Sequence, residues 1–162
     1  MKEKKIELSF ISAELSELST QEKQLVANAK SAVTTAYAPY SGFLVGASVL
    51  LDNGEIINGS NQENVAYPSG LCAERVALFY AGARFPDAKI KTIAVSVMSK
   101  NFKVTDVISP CGACRQVMAE YEDKQEQAIK VILHSPTDQV LIANTVESLL
   151  PFMFKSPLLK QH

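Results

Sequence analysis

Val45-Gly46-Ala47-Ser48-Val49-Leu50-Leu51-Asp52-Asn53-Gly54-Glu55-Ile56-Ile57-Asn58-Gly59 reads as a strand, a turn and a returning strand. Val45 to Leu51 is an apolar run rich in β-formers, and Asn53-Gly54 supplies the positive φ angles that a tight hairpin needs. Upstream, Thr20-Gln21-Glu22-Lys23 has the cap-then-acid pattern of a helix start. Leu25, Val26, Ala29, Val33 and Ala36 follow at helical spacing, which predicts a helix to Ala38 that Pro39 stops. Downstream, Asn61 to Gly70 is polar and loop-like. A helix is expected from Cys72 to Ala83, and Thr92 to Met98 reads as a central strand because both faces look buried. Residues 99–110 form a loop closed by Pro110. A helix from Cys111 to Glu122 follows, then strands at Lys130–Leu133 and Gln139–Ala143, and a short turn capped by Thr145. The order α-β-β-α-β-α-β-β-α implies an α/β fold with helices on the faces of a sheet. Residues 1–18 alternate weakly, and residues 1–19 read as an arm ahead of one domain, 20–162.

The chain has 162 residues, 47% hydrophobic and 20% charged, the balance of an ordinary globular domain. Its formal net charge is −1, without the basic excess of a nucleic-acid binder, so polynucleotide is not an expected partner. Three lysines near the N-terminus resemble a signal n-region, but Glu7, Glu14 and Glu17 interrupt the stretch where an apolar segment would stand. No apolar run approaches the ~20 residues that span a bilayer. The expected setting is the cytoplasm, with no membrane partner, and structural disulfides are not expected there.

All three cysteines fall at the starts of predicted helices: Cys72 in one, Cys111 and Cys114 in the other. The CxxC spacing lets two thiolates converge on one metal, with Cys72 as a third ligand. Helix N-termini favour the thiolate. An all-sulfur set suits zinc, and three protein ligands leave one position open, the pattern of a catalytic site. Glu74, two residues after Cys72, is placed to act as the base for a metal-activated water. Arg75 and Arg115 are placed to draw charge from the thiolates. The bland readings are a redox CxxC and two surface arginines; the combination of all three cysteines with Glu74 favours zinc.

At Cys72-Ala73-Glu74-Arg75 and Pro110-Cys111-Gly112-Ala113-Cys114-Arg115-Gln116 the chain resembles the small homotetrameric cytidine deaminases, in their three-cysteine form. The similarity spans residues 20–160. It includes Pro39-Tyr40-Ser41-Gly42-Phe43-Leu44-Val45-Gly46-Ala47, the segment Gly59 to Tyr67, and Leu149-Leu150-Pro151 followed by Phe154. Zinc deaminases of this kind attack C4 of a cytosine with an activated water and use a glutamate as proton carrier.

The resemblance implies a three-layer α/β/α fold with a five-stranded mixed sheet, one Zn²⁺ per subunit, a homotetramer, and a role in pyrimidine salvage. It implies zinc-dependent deamination of cytidine and deoxycytidine, with Glu74 catalytic. By the same resemblance Asn61 and Glu63 hold the ribose 3′-hydroxyl, and Phe43 packs against the substrate. The Ala73 N–H meets the base O2, and the Ser109 carbonyl meets the amino group. Phe154 reaches a neighbouring subunit's site, and Tyr67 lies near a subunit contact. Lys155 departs from the glycine the family often has there, and residues 1–19 exceed its minimal chain. Competing readings are a deaminase of a related cytosine-bearing nucleoside, a structural-zinc interaction module, which would need a fourth protein ligand, and a thiol oxidoreductase using Cys111 and Cys114.

Overall fold

The structure is a computed structural model that describes residues 1–156. The sequence-expected domain end at His162 lies outside the described residues. Helix α1 spans Thr20–Ala32. Its cap is Ser19, one residue before the predicted start. The Ser19 side chain accepts from the Glu22 N–H at 3.3 Å, and the Glu22 carboxylate accepts from the Ser19 N–H at 3.0 Å. The helix is shorter than its apolar pattern suggests. After Ala32 the chain tightens into a 3₁₀ turn, Val33–Thr35. There the Thr34 and Thr35 hydroxyls bond back to the carbonyls of Ser31 and Ala32, a local competitor to the helical ladder.

Among the described residues six strands form one sheet: β1 Ile11–Glu14, β2 Phe43–Leu51, β3 Ile56–Ser60, β4 Ile90–Ser99, β5 Lys130–His134 and β6 Gln139–Ala143, in the order β1-β6-β5-β4-β2-β3. The β4–β5 pair is parallel and the others are antiparallel, so the sheet is mixed. It carries one strand more than the family resemblance implied. The extra strand lies within residues 1–19, where Ile11 pairs with Ile142 and Glu14 with Gln139. Gly54, with φ at +87°, turns the chain between β2 and β3 as expected, but Asn53 does not share the positive φ that the sequence reading assigns to the pair.

Two further helices, α2 Ala73–Arg84 and α3 Gly112–Gln125, complete the three layers. The period-2 alternation of the strands sorts the core. Val49, Leu51, Ile93, Val95, Val131 and Leu133 pack with α2 and α3. The interleaved Leu50, Ala94 and Ile132 pack with Leu25, Val26 and Ala29 of α1. Each face has one glycine where a helix comes too close for a side chain. A Cβ on Gly46 would overlap the Ala29 carbonyl of α1, and one on Gly59 would lie 2.7 Å from both the Ala73 carbonyl and the Ala77 nitrogen of α2. Gly59 therefore sets how closely the first turn of α2 approaches the sheet. α3 supplies the crossover that a parallel β4–β5 pair requires. The start of β2 and the ends of β3 and β4 share one edge of the sheet: Phe43 pairs with Ser99, and Gly46 with Ser60. The chains that lead from there into α2 and α3 frame the candidate site. Among the described residues, no helix is long and apolar enough to cross a membrane.

Candidate active site

Cys72 is the cap residue of α2 and Cys111 that of α3, each in extended conformation one step before its helix. Neither thiol caps its helix. The sulfurs turn toward each other instead: Cys72 to Cys111 is 3.8 Å, and Cys111 to Cys114 is 3.4 Å. All three lie within 4.8 Å of one another, a group that could hold a metal ion. Two helix N-termini thus point their positive ends at one sulfur cluster.

The electrostatics are those of a site built around a cation. The hydrogen bond from Cys114 and the guanidinium of Arg75 hold Cys72 down to about 5. Cys114 is pushed far up, by its bond to Cys72, by burial and by the nearby Glu74 carboxylate. Three adjacent thiolates repel one another, so ionising all of them calls for a positive charge between them. An all-sulfur, tetrahedral-compatible donor set with Cys111 exposed fits zinc with an open position.

Glu74 lies in the first turn of α2 and is only 4% exposed. Burial, then the Cys72 thiolate, raises its pKa. Its Oε2 has no hydrogen-bond partner. Among the described residues the other buried side-chain atoms without a partner are Arg75 Nε and Arg115 Nε. All three orphans therefore belong to residues beside the cysteines. Arg75 reaches the Cys72 sulfur at 3.8 Å and the Gly70 carbonyl at 3.5 Å. Arg115 is anchored away from the sulfurs at one nitrogen. It donates to the Leu149 carbonyl at 2.9 Å and ties α3 to the C-terminal turn.

A cleft of about 750 Å³ opens over this cluster, with Cys72, Cys111 and Glu74 in its lining. Phe43, Asn61, Glu63 and Ser109 line it too, and Ala73 is fully buried at the start of α2. The expected residues are thus brought together, but two of them are already engaged. The Asn61 amide accepts from the Val45 N–H at 2.8 Å and donates to the Phe43 carbonyl at 2.9 Å. Glu63 accepts from the N–H groups of Tyr40 and Ser41, at 2.9 and 3.3 Å, and from the Ser41 hydroxyl. These bonds hold the Glu63 pKa below the usual carboxylate range, the Ser41 hydroxyl foremost. Each side chain keeps acceptor or donor capacity beyond these bonds.

Phe154 stands apart from this cleft and is 74% exposed. Its backbone is held on α3 by Gln116, which donates to its carbonyl at 2.8 Å and accepts from its N–H at 2.9 Å. Lys155 pairs with Asp123, which fixes the tail along α3. Tyr67 is exposed and meets Tyr40 edge-on, with ring centroids 6.0 Å apart. Sequence reading missed Phe102, whose ring stacks on Phe43; it sits in an irregular loop where no periodicity could single it out.

Residues 19–129 match the family described as the cytidine and deoxycytidylate deaminase zinc-binding region. A cytidine deaminase of Halalkalibacterium halodurans is 36% identical over 132 residues, covering 82% of this chain and 92% of that protein. The chain belongs to the cytidine deaminase family. A family relative from Sporosarcina psychrophila is 44% identical over 102 residues, 61% of this chain and 68% of its own. Among solved structures, the cytidine deaminase of Burkholderia pseudomallei superposes with a TM-score of 0.70 at 37% identity, covering 82% of this chain and 98% of that one. That of Mycobacterium tuberculosis gives 0.66 at 30% identity, over 85% and 100%. The family fold and its zinc-binding region therefore account for the three layers and the sulfur cluster.

Proposed function

We propose that this member of the family catalyses hydrolytic deamination of cytidine and deoxycytidine to uridine and deoxyuridine, a pyrimidine-salvage reaction. The observation that carries the reading is the pairing of three convergent thiols with a buried, partnerless carboxylate oxygen of Glu74 at the base of an open cleft. Cys72, Cys111 and Cys114 would hold one zinc per subunit. Zinc there supplies the Lewis acidity that makes water nucleophilic near neutral pH.

Glu74 does the proton work. It takes a proton from the attacking water and passes it to N3 of the pyrimidine. A C4–O bond forms, Glu74 carries the remaining hydroxyl proton to N4, and the C4–N4 bond breaks to release ammonia and leave the C4 carbonyl. Burial raises the Glu74 pKa, which favours the protonated carboxyl needed when the amino group departs. Arg75 would offset the charge of the thiolates through Cys72.

In this reading Phe43 packs against the nucleoside, and Asn61 and Glu63 meet the ribose 3′-hydroxyl with the capacity left over from their loop bonds. The Ala73 N–H and Ser109 carbonyl would meet the base O2 and amino group. The exposed ring of Phe154 is available to a neighbouring subunit in a homotetramer. The proposed catalytic domain begins at Thr20, with residues 1–19 as an arm, and the setting is the cytoplasm.

The test is cytidine turnover, followed by ultraviolet absorbance and ammonia release, in wild type and Glu74→Gln, with zinc counted in both. Turnover should fall by about 10²–10⁴ in the variant while zinc stays bound. A zinc-loaded wild type that releases no ammonia from cytidine or deoxycytidine would overturn the substrate assignment.

A further inference from the structure

We infer that Phe102, with Asn101 beside it, is a positioning residue: it holds Phe43 as a wall of the cleft and so sets affinity for the nucleoside. The inference rests on the deaminase reading above. Phe43 is the first residue of β2 and lines the cleft. Its ring and that of Phe102 lie with centroids 6.2 Å apart and planes 10° apart, an offset stack. Phe102 is 58% exposed, so this ring contact is a large part of what it has to pack on.

The segment that carries Phe102 is fastened to the segment that carries Phe43. Beyond the Phe43–Ser99 pair, the Lys100 N–H donates to the Gly42 carbonyl at 3.0 Å. The Asn101 amide donates to the Ser41 carbonyl at 2.8 Å. Gly42 has φ at +64°, and the Asn101 amide nitrogen lies 2.6 Å from where a Cβ would stand. Further along, Val104 is buried, and the Thr105 carbonyl accepts from the Thr137 hydroxyl at 3.3 Å. From the cleft side Glu63 holds the N–H groups of Tyr40 and Ser41, and the Ser41 hydroxyl accepts from the Phe43 N–H at 3.0 Å. Residues 40–43 are therefore clamped between Glu63 within the cleft and the Asn101–Phe102 pair outside it.

This arrangement has a kinetic signature. A wall that packs on the nucleoside serves the bound substrate and the transition state alike, because neither the sugar nor the base plane reacts at that contact. Removing uniform binding raises KM and leaves kcat in place. The Phe102 ring itself touches no reacting atom.

The experiment is steady-state cytidine deamination by the zinc-loaded full chain, as wild type, Phe102→Ala, Phe102→Leu and Phe102→Tyr, each with a thermal melt. Phe102→Ala should raise KM about three- to ten-fold with kcat within about two-fold, the range expected for one lost aromatic pair. Phe102→Tyr, which keeps the ring, should restore KM, and Phe102→Leu should not. Because Phe102 is exposed, the melts should hardly move. An unchanged KM in Phe102→Ala, a loss confined to kcat, or full rescue by leucine in an active wild-type background overturns this inference and leaves the deaminase reading standing. A zinc-loaded wild type without turnover overturns both together.

Discussion

The two faces of the sheet treat their most deeply buried ionisable groups in opposite ways. On the α1 face, His134 is 2% exposed and both ring nitrogens are paired: Nδ1 with the Ser96 hydroxyl and Nε2 with Asp138, each at 3.0 Å. Asp138 in turn meets Lys30 of α1 at 3.3 Å. On the α2–α3 face, Glu74 is buried almost as deeply, yet one carboxylate oxygen has no partner. Folding tolerates few such orphans, because each costs about 1–3 kcal/mol. A buried side chain with every polar atom paired is what structure alone requires. A cluster with orphans at the base of a cleft marks a place reserved for something that arrives later.

Four measurements test how far the two faces differ. The largest effect belongs to the sulfur cluster. Cys114→Ala removes the buried sulfur, and turnover should fall below detection with bound zinc well under that of wild type by elemental analysis. Normal zinc content with normal turnover would detach the cluster from the reaction. Next come the two glycines, one on each face. Gly59→Ala and Gly46→Ala should each destabilise the chain by about 1–3 kcal/mol in denaturant titrations, because both push a helix off the sheet. Only Gly59→Ala should also lower kcat, since it displaces the turn that carries Glu74. An equal kcat loss in both would erase the distinction between the faces.

His134→Ala leaves the Ser96 hydroxyl, 3% exposed, without its partner. It should cost about 1–3 kcal/mol of stability with kcat/KM unchanged. The smallest effect is a pH dependence. Burial, the largest cause, depresses the His134 pKa below its ordinary value. Below about pH 6.5 the unfolded chain then binds a proton that the folded chain refuses. Stability should decline as pH falls through that value and level off below the folded pKa. Replacing His134 with Asn should remove that part of the slope in melts recorded between about pH 5 and 8.

Much of this was legible in the residues. The Asn53-Gly54 turn, the helix periods and the apolar runs gave element order because each is a local property. The cysteines were legible because their spacing is short within α3 and their helix-start positions are shared. Other features depend on distant partners that no local pattern carries. β1 is four residues long and exists only through pairing with β6, about 130 residues later. Arg115 could have faced either the sulfurs or the Leu149 carbonyl, and only the path of the C-terminal turn decides. Asn61 looked like a ligand-binding side chain, but the start of β2 claims two of its hydrogen bonds.

The pairing of β1 has a consequence for how the protein survives in a crowded solution. Without it, β6 would end the sheet with a row of open backbone donors and acceptors, a template onto which a foreign strand can add. Residues 11–14 cover that row and leave an outer edge of four residues in its place. Glu14 ends it, and Leu15 turns away by donating to the Asp138 carbonyl at 2.8 Å. A short border finished by a charge gives little purchase for stacking chain upon chain. The segment at the far end of the sheet order from β3 thereby closes the edge that β6 would leave open.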